Sequence, residues 1–165
     1  MRVTASGPDG SLWVARIMRR LEFVHYSAEG ERLESHQPNA TWYEPYDRFQ
    51  APTPGVPTSP ILRSFWIDSI GRAWVVAQVA DLEWADAEGE MQRGEGGLDY
   101  FVPRDVEQIR DALIEVIDLG SGVPQGRYRG ERLLTGAAEF GTVSRAKQNE
   151  DGWFELELFR IRLEN

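Results

Sequence analysis

Pro8-Asp9-Gly10-Ser11-Leu12-Trp13-Val14-Ala15 returns, in altered form, as Asp68-Ser69-Ile70-Gly71-Arg72-Ala73-Trp74-Val75-Val76-Ala77. In both phrases a glycine free to take positive φ is followed three residues on by Trp-Val, which reads as a tight turn feeding a strand. Gly10 stands as far from Gly71 as Trp13 does from Trp74. Recurrence at a fixed spacing marks a chain assembled from copies of one supersecondary unit. The unit here is β, so the fold class expected is all-β.

Working outward, the first unit covers about residues 1–36. Strands are predicted over 12–18, 21–26 and 31–36. Leu21, Phe23 and His25 fall on one face of the second of these, and Glu22, Val24 and Tyr26 on the other. Ser27-Ala28-Glu29-Gly30 is a hairpin turn. Residues 37–60 then hold six of the nine prolines together with Trp42, Tyr43, Tyr46 and Phe49. Disordered linkers are poor in aromatic residues, so this is expected to be an ordered crossover loop pinned by its rings.

A second unit runs over about 61–129. Strands are expected at 61–68, 72–79, 113–118 and 123–129, with a polar, glycine-containing insertion at 81–100. One apolar residue per turn predicts a short surface helix over 103–111. The third unit, about 130–165, has strands at 133–137 and 142–147. After the turn Asn149-Glu150-Asp151-Gly152, clean alternation over 153–163 makes Phe154, Leu156, Leu158, Ile161 and Leu163 core candidates. The phase slips at Phe159-Arg160, as at a bulge.

The 165 residues suit a single domain with a real core. No apolar run approaches the ~20 residues of a membrane helix. The net charge of −9 argues against non-specific binding to nucleic acid, which needs clustered Lys and Arg. The absence of cysteine removes disulfides, thiolate catalysis and Cys-type zinc sites. The first residues lack the charged and apolar regions of a signal peptide. The compartment stays open.

Three units of short strands, each opened by a glycine turn, resemble blades of a β-propeller. The similarity is to bacterial six-bladed propellers of the NHL/TolB-like kind, and only to their C-terminal half. It rests on 8–17 (PDGSLWVARI), 22–36 (EFVHYSAEGERLESH), 61–79 (ILRSFWIDSIGRAWVVAQV), 113–122 (LIEVIDLGSG) and 150–163 (EDGWFELELFRIRL). The resemblance implies a propeller-like domain of about three blades. It leaves a periplasmic or secreted location open. A half-length ring implies uncovered ends, so self-association is expected, with two copies completing six blades. Phe154, Leu156, Leu158 and Ile161 are the interface candidates, meeting Leu12, Val14 and Phe23 of the second copy.

Among possible sites, Trp42, Tyr43, Tyr46 and Trp84 are ligand-binding candidates for a protein or carbohydrate, since aromatic faces suit such ligands. The competing reading is that loop rings, with Trp66, serve packing. Asp81, Glu83, Asp86, Glu88 and Glu90 could supply oxygen ligands, but the spacing of a calcium loop is absent and a solvated acidic loop is expected. His25 and His36 lack metal-motif partners. Gly94-Glu95-Gly96-Gly97 lacks the lysine and following helix of a phosphate loop. Asp68 and Glu139 could face a central channel. The expectation is a non-enzymatic binding or scaffolding module with no cofactor or metal. The alternative, implied by the resemblance, is a propeller hydrolase or lyase with a channel metal, completed by oligomerisation.

Overall fold

The computed structural model describes residues 2–7, 9–48, 53, 56–94, 97, 99–134, 136–139 and 141–164, with the backbone alone at 137–139. Strands β1 (Arg2–Ser6), β2 (Leu12–Arg16), β3 (Glu22–Tyr26) and β4 (Arg32–His36) form an antiparallel meander. A second sheet contains β5 (Ile61–Ile67), β6 (Arg72–Ala80), β9 (Arg110–Asp118) and β10 (Pro124–Gly130), paired in that order. Between β6 and β9 a separate hairpin, β7 (Gly89–Arg93) and β8 (Asp99–Pro103), is inserted. The third sheet has three strands, β11 (Gly136–Glu139), β12 (Thr142–Gln148) and β13 (Phe154–Arg160). The fold is all-β, and its meanders follow one another in a propeller-like way: β1 lies beside β5, and β5 beside β11.

The repeated phrase occupies equivalent places. Gly10 and Gly71 sit in their turns at φ 83° and 82°, in the left-handed region glycine tolerates. The carboxylates of Asp9 and Asp68 fasten these turns by accepting from the backbone N–H of Ser11 and of Arg72. Trp13 lies opposite Ala5 and His25, and Trp74 opposite Trp66 and Val116. Each indole points toward the following sheet. Trp13, Ala15 and Phe23 form one core with Phe65, Ile67, Val75, Leu113 and Ile117 of the second sheet. Trp66, Trp74, Val76 and Ile114 form another with Leu134 and Val143. The middle sheet is thus covered on both faces, which is why β6 and β9 read as near-continuous apolar runs rather than as alternation.

Three expectations change. The helix expected over 103–111 is a single 3-10 turn, Val106–Gln108, because β8 takes Pro103 and β9 already begins at Arg110. The insertion contains a hairpin that its polar composition concealed. In β13 the alternation is present but the expected burial is not: Phe154, Leu156 and Leu158 are 77, 64 and 58% exposed. The register places them opposite Gln148, Ala146 and Ser144, while Phe159 lies opposite buried Val143 on the inner face. Glu157, expected in solvent, reaches Arg145.

The two outermost faces also differ. The third sheet turns Phe154, Leu156 and Leu158 outward. The first sheet's outer face is more polar, with buried Glu22 held among Arg16, Arg20 and Arg32. Phe23 lies in the core, edge-on to Phe65 at 5.3 Å between centroids, and is not an outer residue.

Candidate functional site

The four-stranded second sheet is wider than the three-stranded third sheet packed on it. Where that cover ends, a cleft of about 690 Å³ opens. Its floor comes from Trp74 of β6, Ile114 and Val116 of β9, Leu134, and Val143 of β12. Phe159, Ile161 and Leu163 close one side. Gly126 permits this approach, since a Cβ there would come within 2.4 Å of Leu163 Cδ1. Tyr128, on the edge strand β10, is left 57% exposed at the mouth.

The polar groups stand at the rim. Arg132, Arg145 and Arg162 line the cleft with Gln125 and Glu164. Arg145 is engaged by Glu107 at 3.3 Å and Glu157 at 3.6 Å. Among the described residues, Arg132 and Arg162 form no ion pair. Trp74 is fixed from behind: it stacks on Trp66 at 5.5 Å, and its indole N–H donates to Asp68 Oδ2 at 2.9 Å. The Arg72 guanidinium lies 5.7 Å from its ring centre. Burial raises the Asp68 carboxyl, but hydrogen bonds from Trp74 and Arg72 outweigh that and hold it below its ordinary value. Asp68 therefore braces the floor of the cleft from its turn.

Of the aromatic candidates, Trp42 and Tyr43 meet edge-on, 6.0 Å between ring centroids. Trp42, Tyr43 and Tyr46 are half-buried against the first core. Trp42 donates its indole N–H to Glu115 Oε2 at 2.6 Å. The Tyr43 hydroxyl donates to the Met18 carbonyl, and that of Tyr46 to the Pro60 carbonyl at 2.9 Å. Trp42 and Tyr46 form part of the wall of a separate depression of about 560 Å³. Trp84 lies apart, with Phe101 and Ile109 around a cavity of about 50 Å³. Phe49 falls outside the described residues, as do Glu95 and Gly96 and the side chain of Glu139. Of the interface candidates, Ile161 packs on the second core, away from the outward face of Phe154, Leu156 and Leu158.

His25 stacks on Trp13 at 4.1 Å, and Glu34 bridges His25 Nδ1 and His36 Nε2 at 3.2 and 3.3 Å. Asp81, Glu83 and Asp86 gather in a second pocket with Asp105, Glu107, Asp111 and Glu131. Glu88 instead pairs with Arg104 on the hairpin. Among the described residues, no group of three or more His, Asp or Glu is arranged to hold a metal ion, and no helix is long and apolar enough to cross a membrane.

The sequence reading missed the cleft because its lining is ordinary strand and loop residues from six separate segments. The available signals were Gly126 within a strand, which marks a close approach, and the arginines flanking Leu133-Leu134 and Ile161-Leu163. No protein family, curated protein or solved structure matches this chain.

Proposed function

We propose that this protein is a non-enzymatic binding module on a propeller-like scaffold of about three blades, and that its ligand occupies the cleft between the second and third sheets. The carrying observation is the pairing of an apolar floor, built on Trp74, Ile114, Val116 and Val143, with two rim arginines, Arg132 and Arg162, that form no ion pair among the described residues. Binding sites typically combine a concave apolar surface with a few placed polar groups. The chemistry that fits is an apolar body carrying an anionic group. The apolar part covers Trp74 and Val116, and the anion meets Arg132 and Arg162, whose planar forks suit carboxylates.

Decanoate tests this reading by calorimetric titration. Saturable binding is expected, and the double substitution Arg132→Glu, Arg162→Glu should weaken it about tenfold or more, each lost charged hydrogen bond being worth about 1.5 kcal/mol. Both residues are exposed, so the fold is retained. Equal affinity in the variant, or no binding to the wild type, overturns the assignment.

Self-association belongs to the same proposal. The strip Phe154, Leu156 and Leu158, on one face of β13, is an exposed apolar face of a kind that marks interaction surfaces. In a head-to-tail pair it meets Leu12 and Val14, which lie on the outer side of the first sheet. Light scattering should give twice the chain mass at micromolar concentration, and Leu156→Asp with Leu158→Asp should halve it. A wild-type monomer refutes the pairing.

A further inference from the structure

We propose that the outer edge of β13 takes up an extended segment of a partner protein as a fourth strand of the third sheet, and that this segment alternates apolar and basic residues. The site is separate from the apolar cleft and does not depend on it.

The first and second sheets have four strands each, and the third has three. β13 pairs with β12 on one side and ends its sheet on the other. An edge strand presents a row of unpaired N–H and C=O groups, and proteins usually blunt such edges. The other edges of the three meanders are blunted. β4, β5, β10 and β11 each break register with their neighbour, and β1 lies beside β5. β13 keeps its register with β12 throughout its seven residues and contains neither proline nor glycine.

The register decides which backbone groups are open. At the turn the Asn149 N–H donates to the Trp153 carbonyl at 2.9 Å, and past the far end the Ile161 N–H donates to the Gly141 carbonyl at 2.9 Å. Both bonds fall in the register that sets Gln148 opposite Phe154 and Thr142 opposite Arg160. Hydrogen-bonded pairs alternate along an antiparallel ladder. Glu155, Glu157 and Phe159 therefore bond to β12, and the N–H and C=O groups of Phe154, Leu156, Leu158 and Arg160 point to the open edge.

The side chains define the partner. Phe154, Leu156 and Leu158 stand on the outward face, so an added strand continues that face with an apolar residue at every second position. Its intervening residues fall beside Glu155 and Glu157. These two meet Lys147 and Arg145 on the β12 side; on the edge side their neighbours come from the added strand. Opposite charges in cross-strand positions stabilise the pairing, so lysine or arginine fits there. The net charge of −9 steers a basic segment in the same direction. Pairing of copies through the outward face uses side chains and leaves these backbone groups open.

Amide hydrogen exchange read by nitrogen-15 NMR tests the proposal, with a capped peptide of alternating valine and lysine, as long as β13, as the probe. In the free chain the amides of Phe154, Leu156 and Leu158 should exchange fast and those of Glu155, Glu157 and Phe159 slowly. Saturating peptide should slow the first set about tenfold or more and leave the second unchanged. A peptide of equal charge with proline at its central valine should have no such effect. Leu156→Pro removes an outward N–H and no bond to β12, a position where an edge strand tolerates proline; it should weaken peptide binding about tenfold or more where near-UV dichroism shows the fold intact. Leu156→Val keeps the N–H and should bind as the wild type does. The proposal is overturned if the first set of amides is already slow in the free chain, if it slows with rising protein concentration alone so that a second copy holds the edge, if the proline peptide protects it equally, or if the valine–lysine peptide leaves it fast.

Discussion

Substitution of Trp42 separates packing from ligand binding at the crossover loop. Its indole N–H donates to a carboxylate that is fully buried: Glu115 is 0% exposed and also receives Arg127 Nε at 2.9 Å. Trp42→Phe keeps most of the ring contact and deletes this donor. A hydrogen bond to a charged acceptor contributes about 1.5–3 kcal/mol, so a loss of about 2 kcal/mol is expected. Trp42→Ala removes the ring as well. Truncating a fully buried Trp costs about 3–5 kcal/mol; the half-buried ring here should account for about half, giving about 4 kcal/mol in all. With a urea slope of about 2 kcal/mol per molar, the midpoint should fall by about 1 M for Phe and about 2 M for Ala at unchanged slope. In a Glu115→Gln background the effect of Trp42→Phe should shrink, because the acceptor is no longer charged. A shift below about 0.3 M for Trp42→Ala would show a ring that contributes nothing to the core, and the account of a pinned loop would fail.

Phe23→Ala should cost about 3–5 kcal/mol by urea unfolding, since the ring is wholly enclosed and meets Phe65 edge-on. Gly10→Ala and Gly71→Ala should each cost about 1 kcal/mol, and by similar amounts, because both sit at the same positive φ with nothing within 4 Å of an added Cβ. The folded-state carboxyl of Asp68 lies below its ordinary value of 3.8. Its contribution is therefore fully present above that pH and lost as pH falls through the lower folded value. Asp68→Asn should flatten the acid limb of stability below about pH 4, measured as urea midpoint against pH; an unchanged limb would place the acid sensitivity elsewhere.

The fold was legible where local chemistry and pattern agree. Gly10 and Gly71 announce their turns, and Phe23 and Val24 separate onto opposite faces as period two requires. The pattern misled where burial depends on what lies across a face. In β13 the alternation of Phe154, Leu156 and Leu158 was plain, but periodicity gives the phase and not which phase meets the core. Val143 in β12 settles it by turning inward. The β7–β8 hairpin escaped notice because all of β7 is exposed and its composition carries no alternation to read. The cleft was illegible for a different reason. It follows from a difference in strand number between adjacent sheets, a property of the assembly rather than of any segment.

Titration of decanoate against the protein with its tryptophan indoles resolved by nitrogen-15 NMR tests the central claim most directly. Trp13 and Trp74 hold equivalent places in their sheets, but Trp13 faces a closed contact and Trp74 an open cleft. The Trp74 indole resonance should shift saturably while that of Trp13 stays in place. Parallel shifts of both, or a shift of Trp42 with Trp74 unmoved, would contradict a binding site between the second and third sheets.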